Sequence, residues 1–238
     1  MEYTSEHPLA VNCVLFGYDV QDSDLKVFLI ERVAPPFEGK WAIPGGFVIP
    51  GESVDDTAIQ VLFGETGVKD LFLEQLYTFG NPRRGPGEHV VSVAYYALIS
   101  INENTLTPDT EVRNAAWFSI SDIPDFLAFD HDQILAKALE RLQGKIRYQP
   151  IAFELLPTKF SLTQLQRLYE TILEQKLDKR NFRKKLSSMG ILQDLGEIEH
   201  DVSHRAARLY SFNERAYRRM QREGFLFEIR EGSRKNSR

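Results

Sequence analysis

The chain has 238 residues, 42% of them hydrophobic and 26% charged, the size and make-up of one large or two modest globular domains. Charge is unevenly divided, 10 Lys+Arg against 22 Asp+Glu in residues 1–145 and 19 against 12 in residues 146–238, so an acidic domain (−12) precedes one (+7) suited to a polyanion. No apolar run nears the roughly 20 residues that span a bilayer, the acidic start is no signal peptide, and the single cysteine, Cys13, excludes intrachain disulfides and a multi-cysteine zinc site.

Val11–Phe16 and Lys26–Arg32 read as strands joined by the polar turn 19–24. Cys13, inside the first, reads as a buried structural thiol in a chain expected in a reducing cytoplasm. Phe37–Gly46 is a loop and short strand. A helix follows from Ser53 to Phe63, with Ser53 as N-cap, Asp55 and Asp56 favourable to the helix dipole, and Gly67 as its stop. Val90–Ser100 is a long strand and Ala115–Phe118 another. The spacing of Ile134, Leu135, Ala138, Leu139 and Leu142 predicts a helix over 132–142. A helix set among mixed strands makes an α+β layered domain.

From about residue 148 the pattern changes. Pro150–Leu155 reads as a short strand. Ser161 and Gln164 form a capping box opening a helix with Leu162, Leu165, Leu168, Tyr169 and Ile172 on one face. After the turn 174–177, Asp178 caps a second helix ending at Gly190. Ile191–His200 and Arg208–Phe212 read as a hairpin with a polar tip, and Asn213 starts a last helix, Glu214–Arg222, closed by Gly224. Helix, turn, basic helix and hairpin make a winged helix-turn-helix. The expected domains are 1–147 and 148–230, with 231–238 a disordered tail.

Between residues 46 and 68 lies one informative spacing. Gly46, Glu52, Leu62, Glu65, Gly67 and Val68 stand where a Nudix box has its glycine, glutamate, apolar residue, last glutamate, second glycine and closing apolar residue. The stretch resembles that box, but Gln60 replaces its arginine, and Val61 and Gly64 replace two glutamates. Positions 61, 64 and 65 share one helix face. Three carboxylates there could hold Mg²⁺, which polarises phosphoryl oxygens and activates water; Glu65 alone is a poor site. Gly64 also costs the helix about 1 kcal/mol relative to alanine. Glu52, without its arginine, reads as a loop or helix-start carboxylate. The pattern assigns no catalytic or metal-binding residue and points to a ligand sensor.

A diphosphate held without metals needs cationic or N–H donors. Arg32, Lys40, Arg83 and Arg84 are candidates, the last two in the Pro/Gly-rich loop 81–87. Gly45 and Gly46 permit close backbone approach. Phe47, Tyr77 or Phe79 could stack on an adenine, and Glu65 completes the candidate set. Asp130 and His131 suit a hinge or an N-cap and are assigned no catalytic role.

In the second half, Lys179, Arg180, Asn181, Arg183, Lys184 and Lys185 have the chemistry of a recognition helix. Arginine grips guanine edges, asparagine grips adenine, and lysines neutralise phosphates. Phe182, Leu186 and Met189 anchor the helix, leaving Arg180, Arg183, Lys184 and Ser187 outward. His204 and Arg205 at the hairpin tip could reach a minor groove, where arginine favours narrow A/T tracts, and Arg208 is a further DNA-binding candidate.

Seven stretches in order carry a wider resemblance: Glu31–Phe37 (ERVAPPF), Gly39–Gly46 (GKWAIPGG), Gln75–Gly80 (QLYTFG), Ser92–Ala97 (SVAYYA), Leu127–His131 (LAFDH), Lys179–Arg183 (KRNFR) and His204–Tyr210 (HRAARLY). Over most of residues 10–213 the chain resembles the NrtR family of Nudix-related transcriptional regulators. That resemblance implies a homodimeric repressor of NAD-biosynthesis genes on a palindromic, A/T-rich double-stranded DNA operator. It also implies ADP-ribose, or a related product of NAD turnover, as effector, with no required cofactor. Some family members hydrolyse ADP-ribose; Gln60, Val61 and Gly64 depart from their box. The competing readings are an ADP-ribose pyrophosphatase with a metal site rearranged onto Glu65 with Glu88 or Glu111, and a non-enzymatic adaptor. The basic 179–185 helix favours a regulator over the adaptor, and Val61 with Gly64 favours it over the hydrolase.

Overall fold

A computed structural model describes residues 7–103, 114–199 and 206–229. The first half is built around β1 (Leu9–Asp19), in which Val11, Cys13, Val14, Leu15 and Phe16 are fully buried. Such unbroken burial belongs to a strand covered on both faces. It is followed by β2 (Asp24–Glu31), β3 (Trp41–Ala42), β4 (Gly45–Phe47), β5 (Phe72–Phe79), β6 (Val91–Ser100) and β7 (Ala115–Ser119). Among the described residues these form one seven-stranded sheet in the order β3-β2-β1-β6-β5, with β4 on β1 and β7 on β2. Strand β5 was not foreseen from the sequence. It is an edge strand, with Leu76 its sole buried residue, so no clear apolar alternation announces it.

Helix α1 (Val54–Thr66) has the expected ends: the Asp56 N–H donates to Ser53 Oγ at 3.1 Å, and Gly67 takes φ 70° in the left-handed region. Its Ala58 and Leu62 pack with Val11, Cys13, Val93 and Tyr95. Each fully buried leucine of this kind contributes roughly 1.5–3 kcal/mol. Helix α2 (His131–Lys145) buries Ile134, Leu135, Ala138 and Leu142 of the predicted stripe and leaves Leu139 half-buried.

In the second half Pro150–Leu155 is a 3₁₀ turn rather than the expected strand. Its apolar run carries no period that separates the two; Pro150 fits a helical first turn, and Ile151, Ala152, Phe153 and Leu155 are all buried. Then come β8 (Phe160–Ser161), α3 (Leu162–Leu173), α4 (Lys179–Met189), β9 (Leu192–Ile198), β10 (Arg208–Phe212) and α5 (Glu214–Arg222). The hairpin strands are joined by β8, giving the sheet β8-β10-β9. Phe153 stacks on Phe212, ring centroids 4.4 Å apart, and Tyr169 of α3 meets Phe182 of α4 at 5.5 Å. The hairpin tip, with His204 and Arg205, and the tail 231–238 lie outside the described residues.

By packing, the chain divides into Met1–Gly17 with Lys26–Arg141, and Tyr18–Leu25 with Leu142–Arg238. The tip of the first hairpin is thus grouped with the C-terminal unit, where Thr171 Oγ1 donates to the Ser23 carbonyl at 3.1 Å. The chain passes between units three times, so helix α2 is not the only covalent link. No helix among the described residues is long and apolar enough to cross a membrane.

The capping box of α3 is complete: the Gln164 N–H donates to Ser161 Oγ at 3.4 Å and the Ser161 N–H to Gln164 Oε1 at 2.7 Å. Ser161→Ala is expected to destabilise the C-terminal unit by about 0.5–2 kcal/mol. Denaturant unfolding of the full chain checks this, and an unshifted transition would show that the cap contributes nothing.

Candidate functional site

In the first unit a cavity of about 450 Å³ opens between β1, β4, the loop after β2, the loop 84–90 and the start of α2. Of the candidate ligand residues, Arg32, Gly45, Gly46, Phe47 and Arg84 line it. Lys40, Glu65, Phe79 and Arg83 do not. Lys40 is exposed, its ammonium 5.7 Å from the Phe126 ring centroid. Phe79 packs edge-on against Tyr77, 5.4 Å between centroids. Arg83 is exposed, with its backbone N–H held by the Asn81 side chain at 2.9 Å. Glu65 is half-buried on α1.

Arg32 is held from two sides. Its Nε donates to the Pro36 carbonyl at 2.9 Å, Nη2 to the Ala34 carbonyl at 3.3 Å, and its guanidinium carbon lies 4.9 Å from the Phe129 ring centroid. Burial lowers its pKa, yet a guanidinium stays charged at neutral pH. Arg84 makes a bidentate pair with Asp130, at 2.7 and 3.1 Å. Both side chains are 9% exposed, so this charge is largely spoken for inside the protein. Phe129 takes φ 58°, and a Cβ at Gly85 would stand 2.8 Å from its ring. The glycine after Arg84 is therefore needed for that approach.

The glycines in and just before the box differ in use. A Cβ at Gly45 would meet the Val11 carbonyl at 2.6 Å and the Asn12 side chain at 2.5 Å. Gly45 is thus required by the pairing of β4 with β1, where it opposes Asn12, and ligand approach is not its first reason. A Cβ at Gly46 would come 3.2 Å from Val61, one of the apolar residues packed against the core. Val61, at a metal-ligand position of the box, has become packing. Gly64 faces open space. Gln60 Nε2 donates to Glu52 Oε1 at 3.2 Å, so a neutral hydrogen bond stands where the box has an ion pair. No three His, Cys, Asp or Glu side chains gather as a metal site among the described residues. The residues present on α1 do not fit the family's Mg²⁺.

Sequence reasoning missed Asn12, Phe129, Pro35 and Pro36 as cavity residues. An amide inside the apolar run Val11–Phe16 was the available signal. The Ile43 N–H donates to His131 Nδ1 at 2.9 Å, and His131 Nε2 lies 3.3 Å from Asn12 Nδ2. Asn12 is bonded in turn to Ser92 Oγ at 2.6 Å.

In the second unit, Lys179, Arg180, Asn181, Lys184 and Lys185 are exposed on α4, while Phe182, Leu186 and Met189 are buried. Arg183 departs from its expected outward position. It is half-buried, and its Nη2 donates to Thr163 Oγ1 of α3 at 2.9 Å. The cause is its place beside Phe182 and one turn before Leu186, where a long side chain folds back over the neighbouring helix. Arg208, exposed on β10, pairs with Asp194 of β9 at 3.0 Å.

Burial, followed by the Arg84 and Arg32 charges, pushes the His131 pKa down to about 3. An unfolded histidine titrates near 6.5, so below that pH the unfolded chain binds the extra proton. The stability His131 contributes is present above pH ~6.5 and is lost as pH falls toward its folded value, with a slope on the order of 1 kcal/mol per pH unit. His131→Gln should flatten the stability profile between pH 6.5 and 4.5. Equal slopes in the two proteins would contradict this.

A Nudix domain family model matches residues 6–142, and a model described as the NrtR DNA-binding winged helix domain matches residues 152–212. The ADPR responsive transcriptional repressor NtrR of Acinetobacter baylyi is 32% identical over 214 residues, covering 87% of this chain and 84% of that protein. A crystal structure of Shewanella oneidensis NrtR complexed with a 27mer DNA superposes with TM-score 0.80 at 31% identity, covering 93% of this chain and 99% of that one. A cocrystal structure of the Nudix domain of the Shewanella oneidensis protein with ADP ribose gives TM-score 0.52 at 37% identity, over 58% of this chain and 90% of that one. Matched by both domain models in order, and by a relative along most of its length, this chain belongs to the NrtR family.

Proposed function

We propose that this chain is a DNA-binding transcriptional repressor whose Nudix domain senses ADP-ribose without cleaving it. One observation carries the sensor half: a cavity with two arginines on its wall accompanies a helix α1 on which Val61 and Gly64 stand at the metal-ligand positions. Arg32, whose guanidinium is held by two carbonyls and an aromatic ring, is the group we assign to the diphosphate. Arg84 is assigned the same ligand in competition with Asp130. Phe47, 64% exposed at the cavity edge, offers an aromatic face to a base. The repressor half rests on α4, whose exposed Lys179, Arg180, Asn181, Lys184 and Lys185 suit base edges and phosphates. We infer a cytoplasmic homodimer on a palindromic, A/T-rich operator serving NAD-biosynthesis genes, a reading supported by the family relationship.

The sensor reading predicts no metal-dependent release of AMP from ADP-ribose above background with Mg²⁺ or Mn²⁺. Turnover of ~1 s⁻¹ or more, an ordinary enzyme rate, would establish the hydrolase instead. ADP-ribose should bind free protein more tightly than operator-bound protein, by roughly 5- to 150-fold if the coupling is of the usual 1–3 kcal/mol. Calorimetric titration of both states reads this directly; equal affinities would remove the regulatory role of the Nudix half.

The geometry of α4 separates its arginines. Arg180→Ala should cost roughly 1–3 kcal/mol on operator DNA and relax base discrimination at one position. Arg183→Ala should instead weaken the seating of α4 on α3, seen as lower thermal stability with base preference retained. Binding assays on operator and single-base variants distinguish the two, and a specificity change confined to Arg183→Ala would reverse the assignment.

A further inference from the structure

Helix α5 begins one residue after the last hairpin strand and lies just beyond the stretch matched by the winged-helix family model. None of its residues is buried. Its side chains nevertheless divide sharply. Arg215, Arg218, Arg219 and Arg222 are spaced i, i+3, i+4, i+7 and fall within about 100° of arc on one face. All four are exposed. Ala216, Tyr217 and Met220, on another face, are half-buried, with Tyr217 against Phe212 at 5.9 Å between ring centroids. The apolar side anchors the helix; on the arginine side Arg218 pairs with Glu214 and Arg222 Nε donates to the Arg218 carbonyl at 3.3 Å, both within α5.

The anchoring also places this stripe. The N–H of Asn213, the N-cap of α5, donates to the Ile191 carbonyl at 2.8 Å, and Ile191 directly follows Gly190, the C-cap of α4. The arginine helix therefore starts beside the C-terminal end of the exposed basic helix. From Arg215 to Arg222 it runs roughly 10 Å along its axis, about the length over which one DNA strand presents three phosphates. Arg218 is paired with Glu214, and both side chains of that pair are more than half exposed. Such a surface pair exchanges readily for a phosphate. All four cations are arginines, whose planar fork suits phosphate oxygens.

We propose that the Arg215–Arg222 face of α5 is a second DNA-contacting surface, one that grips the phosphate backbone flanking the bases met by α4. The inference rests on the DNA-binding function proposed for this chain. Phosphate contacts position a protein without reading sequence, so this face adds affinity and salt dependence while α4 retains discrimination.

The test uses the full chain with Arg215→Gln, Arg218→Gln, Arg219→Gln and Arg222→Gln combined, and a companion with lysine at all four positions. Affinity is measured by fluorescence anisotropy for labelled operator and for a random duplex of equal length, across 50–200 mM salt. The slope of log K against log salt should shrink by about 0.9 for each phosphate that the protein no longer neutralises. For the glutamine variant that means a reduction of about 2–4 per bound protomer, equal on both duplexes, and the lysine variant should keep most of the slope. Unchanged ADP-ribose binding and circular dichroism identify a folded protein. A wild-type slope in the glutamine variant overturns the proposal, as does a loss of discrimination with an intact slope. Loss of binding to anionic lipid vesicles with DNA affinity unchanged would overturn it in favour of a membrane surface. Failure of the wild-type chain to bind either duplex would overturn the repressor reading itself.

Discussion

Arg84 and Asp130 hold the cavity side of the Nudix unit together. Two hydrogen bonds join them in a setting where each side chain is 9% exposed. Removing one partner from such a pair leaves a buried charge and costs about 3–5 kcal/mol. The loop carrying Arg84 and the residue before α2 are thereby tied to one point. Phe129 precedes Asp130 with φ 58°, and its ring is approached by Gly85 and by the Arg32 guanidinium. His131 follows it and accepts the Ile43 N–H. Three consecutive residues, Phe129, Asp130 and His131, thus meet Arg32, Arg84 and Ile43 on one side of the cavity.

The box itself illustrates how a catalytic frame can lose its charge and keep its shape. The turn, Ser53 cap and Gly67 stop of α1 depend on backbone geometry and survive intact. Glu52 still reaches across to residue 60, with an amide donor in place of a guanidinium. Val61 has joined the apolar packing beside Gly46, where a carboxylate would need a compensating partner. The features that build the helix are separable from those that would hold a metal on it.

The same separation of anchor and working face recurs in the C-terminal unit. Phe182, Leu186 and Met189 seat α4, and Tyr217 with Met220 leans α5 inward. Both helices then carry exposed cations. Arg183 shows that a basic residue near such a face need not be available to it: half-buried, it is bonded to Thr163 of α3. A solvated guanidinium and a bonded one are alike in a sequence and differ in what each can offer a phosphate.

Local rules accounted for much of this chain. The caps Ser53, Ser161, Asp178 and Asn213, the αL stops Gly67 and Gly190 and the apolar spacing of α2, α3 and α4 concern residues within a few positions of one another. The spacing of the box, with its three departures, was equally legible. Segments without a distinctive period were not: edge strand β5, the two-residue β8 and the 3₁₀ turn at Pro150 take their form from what packs beside them. The cavity was read in part, because its wall joins residues from 10 to 131. Composition could name Arg32, Arg84 and Phe47, but could not separate them from Lys40, Arg83 and Phe79. The sequence alone determined the family's order of domains and which cations exist; only the tertiary structure decided which are spent on carboxylates, carbonyls and hydroxyls, because such a partner can lie 46 residues away along the chain, as Asp130 does from Arg84.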